Sequence, residues 1–240
     1  MTEHLTKNGT PYIIRHANEN DAENLIEYSK TVFASTDQLL TTPKEYTISV
    51  AEQKAWINNI SKSRNSKLLV AVLDGRIIGF LFFTRQQKVK NAHVGELGVN
   101  VHPAYRAMGI GRALMETLIK WSGSHSAIEK IVLQVFATNQ DAIKLYLSLC
   151  FKEEGRFIKA VKQLNGEYVD VVQLYLFVGG GLKAVGHFLK QTNTTTFYTP
   201  TQFIQINRAK TKTTAAFYCC LCYLEQCKST VVYHRIAGRC

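Results

Sequence analysis

Apolar positions recur at two different periods along the first three quarters of the chain, and the switching between them lays out its elements. Tyr12, Ile13 and Ile14 predict a first strand over Pro11–Arg15. Asn20 or Asp21 can cap a helix whose inner face uses Leu25, Ile26 and Phe33, and a polar loop, STDQLLTTPKEYTIS, follows. A second helix is expected from about Val50 to Ser61, carrying Trp56, Ile57 and Ile60. Lys67–Leu73 and Arg76–Phe83 read as a hairpin, because Asp74-Gly75 between them is the strongest short-range turn signal in the chain.

Residues 94–101 form the next strand, with Leu97, Val99 and Val101 spaced two apart on one face. Pro103 stops the ladder. A helix over about 110–122 follows, with Ala113, Leu114, Met115, Leu118 and Ile119 as its apolar positions. Lys130–Phe136 is a further apolar strand, and Asn139–Leu149 is a helix with Ala142, Ile143, Tyr146 and Leu149 on one side. Two closing strands are expected around Arg156–Val161 and Tyr168–Phe177, turned at Asn165-Gly166. The sum is an α+β fold: a mixed, largely antiparallel sheet with helices on both faces.

Between the strand at 94–101 and its following helix lie Arg106, Gly109 and Gly111. Strand, glycine turn and helix N-terminus together make a place for phosphate, since the free N–H groups of the first turn and the positive helix end favour an anion. A side chain at Gly109 or Gly111 is expected to hold a diphosphate away from those amides. A strand–helix turn with no ligand has the same spacing. A dinucleotide-binding turn fits poorly, because the glycines are G-x-G and stop; a Walker-type loop is excluded, because no G-K-[ST] follows.

R-A-M-G-I-G, residues 106–111, resembles the Q/R-x-x-G-x-G/A signature of the GNAT superfamily of acetyl-CoA-dependent N-acetyltransferases. The adjoining V-N-V-H-P-A-Y-R and the later N-Q-D-A-I-K-L-Y-L-S-L-C-F resemble the same family, in the right order and about thirty residues apart. The resemblance runs from about Tyr12 to Val178. It implies a sheet whose two central strands splay apart, with the thioester arm of acetyl-CoA, a cosubstrate, entering the gap. No metal is implied.

By the same resemblance, Val99 and Val101 offer backbone groups to the pantetheine amides. Arg106, Met108, Gly109, Ile110, Gly111 and Arg112 cradle the diphosphate, and Asn139 holds the cofactor arm while also able to cap its helix. Glu96 is either the base that takes the amine's proton or a binder of a cationic substrate. Tyr146 hands a proton to the departing thiolate; without the flanking match it would read as core. His102, outside the family's catalytic positions, is expected to be structural. The loop around Thr41–Tyr46 and the segment around Phe157–Gly166 would line the acceptor side.

One position departs from the pattern. Where the family has a glycine that ends the helix in a left-handed conformation, this chain has Cys150, which tolerates that conformation poorly; it can distort the helix end but need not move Tyr146, a full turn earlier. The acceptor implied is a primary amine: a small amine, polyamine, amino acid or protein N-terminus. A catalytically weak or inactive domain that binds acyl-CoA is the alternative.

Composition changes the picture at the C-terminal end. The 240 residues carry a formal net charge of +11, a balance that often marks a nucleic-acid partner. Residues 1–178 hold 21 basic and 17 acidic side chains, whereas residues 179–240 hold 8 basic and 1 acidic. The excess therefore sits apart from the motifs, and nucleic acid is not expected as a partner. Five of the six cysteines, Cys219, Cys220, Cys222, Cys227 and Cys240, also lie there, in a C-x-C spacing that does not suit zinc. Glycines 179–181 read as a joint, which divides the chain into a domain over 1–178 and a poorly ordered, non-catalytic tail over 179–240. Of the readings open for that tail, an extra module, a disordered extension or a translated segment never shaped as protein, the last is favoured. No signal peptide or membrane span is read from the sequence, so a cytoplasmic protein is expected; a homodimer is left open.

Overall fold

The computed structural model describes residues 1–178, so the expectations for residues 179–240 lie outside the described residues. Eight strands form one sheet in the order β1-β2-β3-β4-β5-β6-β8-β7. They are β1 (Thr2–Leu5), β2 (Pro11–His16), β3 (Ser66–Leu73), β4 (Arg76–Arg85), β5 (Val94–Val101), β6 (Lys130–Phe136), β7 (Lys152–Lys162) and β8 (Tyr168–Phe177). The helices are α1 (Ala22–Ala34), α2 (Val50–Lys62), α3 (Ile110–Ser124) and α4 (Gln140–Ser148). All the strand pairs are antiparallel except β5 with β6. This is the expected α+β fold.

Local chemistry accounts for the elements. Ser49 and Glu52 form a reciprocal capping box at the start of α2. Asp74 and Gly75 both take positive φ, 48° and 77°, as a two-residue hairpin turn requires. Asp21 is buried and accepts two 2.7 Å bonds from Arg15 together with the Asn18 N–H, which fixes β2 against the start of α1.

The sheet buries both faces. On one, Leu25, Tyr28 and Val32 of α1 and Ile57 of α2 pack on Leu68, Val70 and Phe82. On the other, Ile110, Leu114, Met115 and Leu118 of α3 and Tyr146 and Leu149 of α4 pack on Ile14, Leu81, Phe83, Leu97, Leu133 and Leu174. Alternation along β5 puts Leu97 on the α3/α4 face and so turns Glu96 to the α1/α2 face.

The central irregularity is between β5 and β6. Their parallel ladder holds only at Val94–Lys130, Gly95–Ile131 and Glu96–Val132. Beyond Glu96, β5 continues to Val101 and β6 to Phe136, so the two strands diverge over the rest of their length. The expected splay is present, and its apex is the Glu96–Val132 rung.

Two elements differ from the sequence reading. The first strand was expected at Pro11–Arg15, but Thr2–Leu5 already forms a strand that pairs with Pro11–Ile14 and makes the sheet's outer edge. β7 begins at Lys152, four residues before the expected Arg156.

Candidate active site

The splay exposes one edge of β5. His102 donates to the Ile78 carbonyl (3.0 Å) and Gln86 donates to the Val94 carbonyl (2.9 Å), so even-numbered positions bond toward β4. In an antiparallel pair the bonding side alternates. The N–H and C=O groups of Val99 and Val101 therefore face the gap, where β6 has moved away. A strand-like ligand with its own amides can complete that edge.

Glu96 stands at the apex on the α1/α2 face. Burial pushes its carboxyl up to about 7. On that same face Tyr28 of α1 donates from its hydroxyl to the Asn100 carbonyl at 2.8 Å, and burial raises the Tyr28 hydroxyl far above its ordinary value. Among the described residues, Asn100 Oδ1 is buried with no hydrogen-bond partner. Neither Tyr28 nor Asn100 was singled out in the sequence. Tyr28 follows Leu25 and precedes Val32 at helical spacing, a signal for burial but not for reaching β5.

Tyr146 lies on the opposite side, on α4, with its ring tilted against Phe151 at 6.1 Å between centroids. Its neighbour Leu145 and Val101 of β5 converge on Gly111: a Cβ added there would lie 3.5 Å from each. Both are ordinary van der Waals distances, so the packing of the chain itself leaves room for a methyl at Gly111.

Gly109 carries the conformational requirement. It takes φ 91° immediately before α3, and Ala107 two residues earlier takes φ 61°. The two left-handed residues wind the chain into a turn that faces its N–H groups one way. Among the described residues no side chain caps α3, so the N–H groups of Ile110, Gly111 and Arg112 are left without a capping partner at the positive helix end. That donor set suits a diphosphate.

The two arginines of the turn point elsewhere. Arg106 Nη2 donates to Ser35 Oγ (2.9 Å) at the C-terminus of α1. Arg112 donates to Ser148 Oγ at the end of α4 and lies 3.5 Å from Glu116. Each guanidinium thus sits at a helix C-terminus, which favours a cation. Met108 packs partly against the core, and its carbonyl accepts the Lys7 N–H at 3.1 Å. Asn139 caps α4 by accepting from Ala142 N–H (3.3 Å). His102 has the structural role expected: its Nδ1 accepts the Ala104 N–H and caps a short turn.

Cys150 takes the place of the glycine without distorting the helix end. It adopts φ 66° in place of a glycine, yet the helix end closes regularly. Cys150 N–H reaches the Leu147 carbonyl (3.0 Å) and Phe151 N–H reaches the Tyr146 carbonyl (3.1 Å), the paired bonds of a left-handed helix cap. Buried Leu149 and Phe151 on either side hold the strained residue in place.

Across the mouth of the splay, three side chains tie the α1–α2 loop down. Besides Arg106 on Ser35, Thr138 Oγ1 donates to Gln38 Oε1 (2.7 Å) and Gln163 Nε2 donates to the Asp37 carbonyl (3.0 Å). The contacts reach the turn after β5, the turn after β6 and the β7–β8 hairpin. The loop's first residues therefore bridge the open ends of the two parted strands.

Residues 33–150 match the Acetyltransferase (GNAT) family. The L-amino acid N-acetyltransferase AaaT of Escherichia coli (strain K12) is 31% identical over 160 residues, spanning 66% of this chain and 93% of that protein. A GNAT-family acetyltransferase from Streptococcus pneumoniae has a similar structure, with TM-score 0.67 and 26% identity over 70% of this chain and 99% of that one. The Salmonella typhimurium protein yncA, solved with its cofactor acetyl-CoA, shares the fold at TM-score 0.63 and 21% identity, over 70% of this chain and 95% of its own.

Proposed function

The chain belongs to the Acetyltransferase (GNAT) family and is an N-acetyltransferase, and from that premise we propose that it moves the acetyl group of acetyl-CoA directly onto the amino group of a small amine of the amino-acid class. The observation that carries the reading is Glu96: a carboxyl pushed up to about 7, at the apex of a gap edged by the unpaired backbone of Val99 and Val101. The similarity to an L-amino acid N-acetyltransferase along 93% of that protein supports the acceptor class.

Acetyl-CoA supplies the thioester carbonyl. The N–H groups of Ile110, Gly111 and Arg112 hold its diphosphate, and Val99 and Val101 take its pantetheine amides. Glu96 accepts a proton from the incoming ammonium, directly or through water, leaving a neutral amine to attack the carbonyl carbon. The C–N bond forms and the C–S bond breaks. Tyr146 donates its hydroxyl proton to the departing thiolate and recovers one as the product amide's second proton is lost. Glu96 and Tyr146 belong to opposite faces of the sheet, so amine and thiolate are served from opposite sides of the gap.

The alternative of a domain that binds without catalysis was motivated by Cys150 and by residues 179–240; the regular helix end at Cys150 removes the first of these grounds. The test is a screen of L-amino acids, polyamines and peptide N-termini with acetyl-CoA, following free thiol. Acetylation of one or more free amino acids with a catalytic efficiency above that for peptides is the expected result. Acetylation of peptides alone would overturn the acceptor class.

A further inference from the structure

Both arginines of the phosphate turn hydrogen-bond to serines at helix C-termini. A basic side chain reaches the turn from a different element. The β1–β2 turn, residues 6–10, docks on it through the bond from Lys7 N–H to the Met108 carbonyl. Met108 lies between the two left-handed residues, Ala107 and Gly109, and so at the centre of the loop that gathers the phosphate-facing amides.

The docked turn is rigid. Thr6 is buried, donates its N–H to the Thr10 carbonyl (2.9 Å), and uses Oγ1 both to donate to that carbonyl and to accept the Thr10 N–H. Gly9 closes the turn onto the Thr6 carbonyl. β2 anchors it from below: Tyr12 packs in the α3-side core, and the charge of Glu116 on α3 contributes to raising the Tyr12 hydroxyl, after the larger effect of burial. The hairpin is thus fixed beside the first turns of α3. Within it the Lys7 side chain is exposed, and among the described residues its ammonium is in no ion pair.

We propose that Lys7 is a cofactor-binding residue, placing its ammonium on the diphosphate of CoA from the N-terminal hairpin. The proposal rests on the acetyl-CoA reading above and adds to it a positive charge beyond those of Arg106 and Arg112. A lysine suits the position: a flexible four-carbon stem carries a point charge across from the neighbouring backbone, with no need of the planar fork of an arginine. It also gives β1, a short polar edge strand, a function, since pairing with β2 is what fixes the Lys7 backbone against Met108.

The test uses the full chain and three acetyl donors: acetyl-CoA, acetyl-dephospho-CoA, which keeps the diphosphate but lacks the 3′-phosphate, and S-acetylpantetheine, which has neither. Lys7→Ala should weaken acetyl-CoA and acetyl-dephospho-CoA alike by roughly tenfold at low ionic strength, with a smaller effect at high salt. Its KM for S-acetylpantetheine should match the wild type, and Lys7→Arg should recover most of the loss. Unchanged acetyl-CoA affinity in Lys7→Ala overturns the proposal, and so does an equal loss with S-acetylpantetheine, which would mark a structural role. A loss that vanishes with acetyl-dephospho-CoA overturns it too, by moving the contact to the 3′-phosphate. If the wild type itself fails to bind acetyl-CoA, the functional reading fails first; if it binds and only the variant comparison fails, Lys7 alone is wrong.

Discussion

Glu96 on β5 faces Val132 on β6 in the last rung of a three-rung parallel ladder, and the strands part immediately beyond that pair. The carboxyl thus sits where the sheet stops supplying backbone partners and before solvent can fully hydrate the gap. Its rise to about 7 is the electrostatic consequence of that position.

Glu96→Gln should lower kcat/KM by about 100-fold near neutral pH, the usual scale for losing a general base. The wild-type pH profile should fall on the acid side with an apparent pKa near 7, and the variant should lack that limb. The profile, not the rate alone, separates a base from a substrate-binding carboxylate. A variant that loses only KM for cationic acceptors, with the limb intact, would make Glu96 a binder.

The same shift has a stability consequence of defined sign. The folded carboxyl keeps its proton to about 7, against an ordinary value of 4.5. Between those values the unfolded chain deprotonates first, so stability is fullest below about 4.5, falls as pH rises toward 7, and is flat above. Wild type relative to Glu96→Gln should therefore lose about 1–3 kcal/mol between pH 4.5 and 8. Denaturant titrations at the two pH values check this.

Tyr146→Phe preserves ring volume in a buried position, so its Tm should stay close to the wild type. The proposed proton donation predicts a kcat about 10- to 100-fold lower, with little change in KM for acetyl-CoA. A donor with a more acidic leaving thiol should narrow the gap between variant and wild type; if the gap does not narrow, Tyr146 packs rather than donates.

What could be read from the chain depended on how local each determinant is. Leu97, Val99 and Val101 announce β5 by alternation, Asp74-Gly75 announces its turn, and R-x-x-G-x-G announces the α3 entry, because each is fixed by a few neighbouring residues. Thr2–Leu5 announces nothing, since as an outer edge strand it has mostly exposed side chains and no apolar alternation. The directions of Arg106 and Arg112 were equally hidden: their partners Ser35 and Ser148 come from other helices. The surroundings of Gly111 were hidden in the same way, since only the packed fold brings Leu145 and Val101 beside it.

Cys150 stores strain that a glycine would relieve. A left-handed residue bearing a Cβ costs about 1–2 kcal/mol, partly offset because glycine is freer in the unfolded chain. Cys150→Gly should therefore stabilise by about 0.5–1 kcal/mol without changing kcat or KM. Thermal denaturation should show a rise of roughly 1–4 °C.

Val178 marks where the proposed catalytic domain should end. It follows β8 directly, donates its N–H to the Glu129 carbonyl (2.8 Å), and is buried in the α3-side core. β8 itself pairs with both β6 and β7, so it cannot be trimmed without opening the sheet beside the splay. A chain of residues 1–178 retains every contact described for the site and sheds 8 basic residues and five cysteines. It should bind acetyl-CoA within about twofold of the full chain and be at least as soluble, since fewer free thiols remain to oxidise. Ending one residue earlier should cost about 1–3 kcal/mol, from the lost valine burial and the Glu129 carbonyl left without its donor. Calorimetry and denaturation of the 177- and 178-residue chains beside the full one would locate the edge to a single residue. If the 178-residue chain unfolds or loses cofactor affinity, residues beyond Val178 complete the domain and the boundary lies further on.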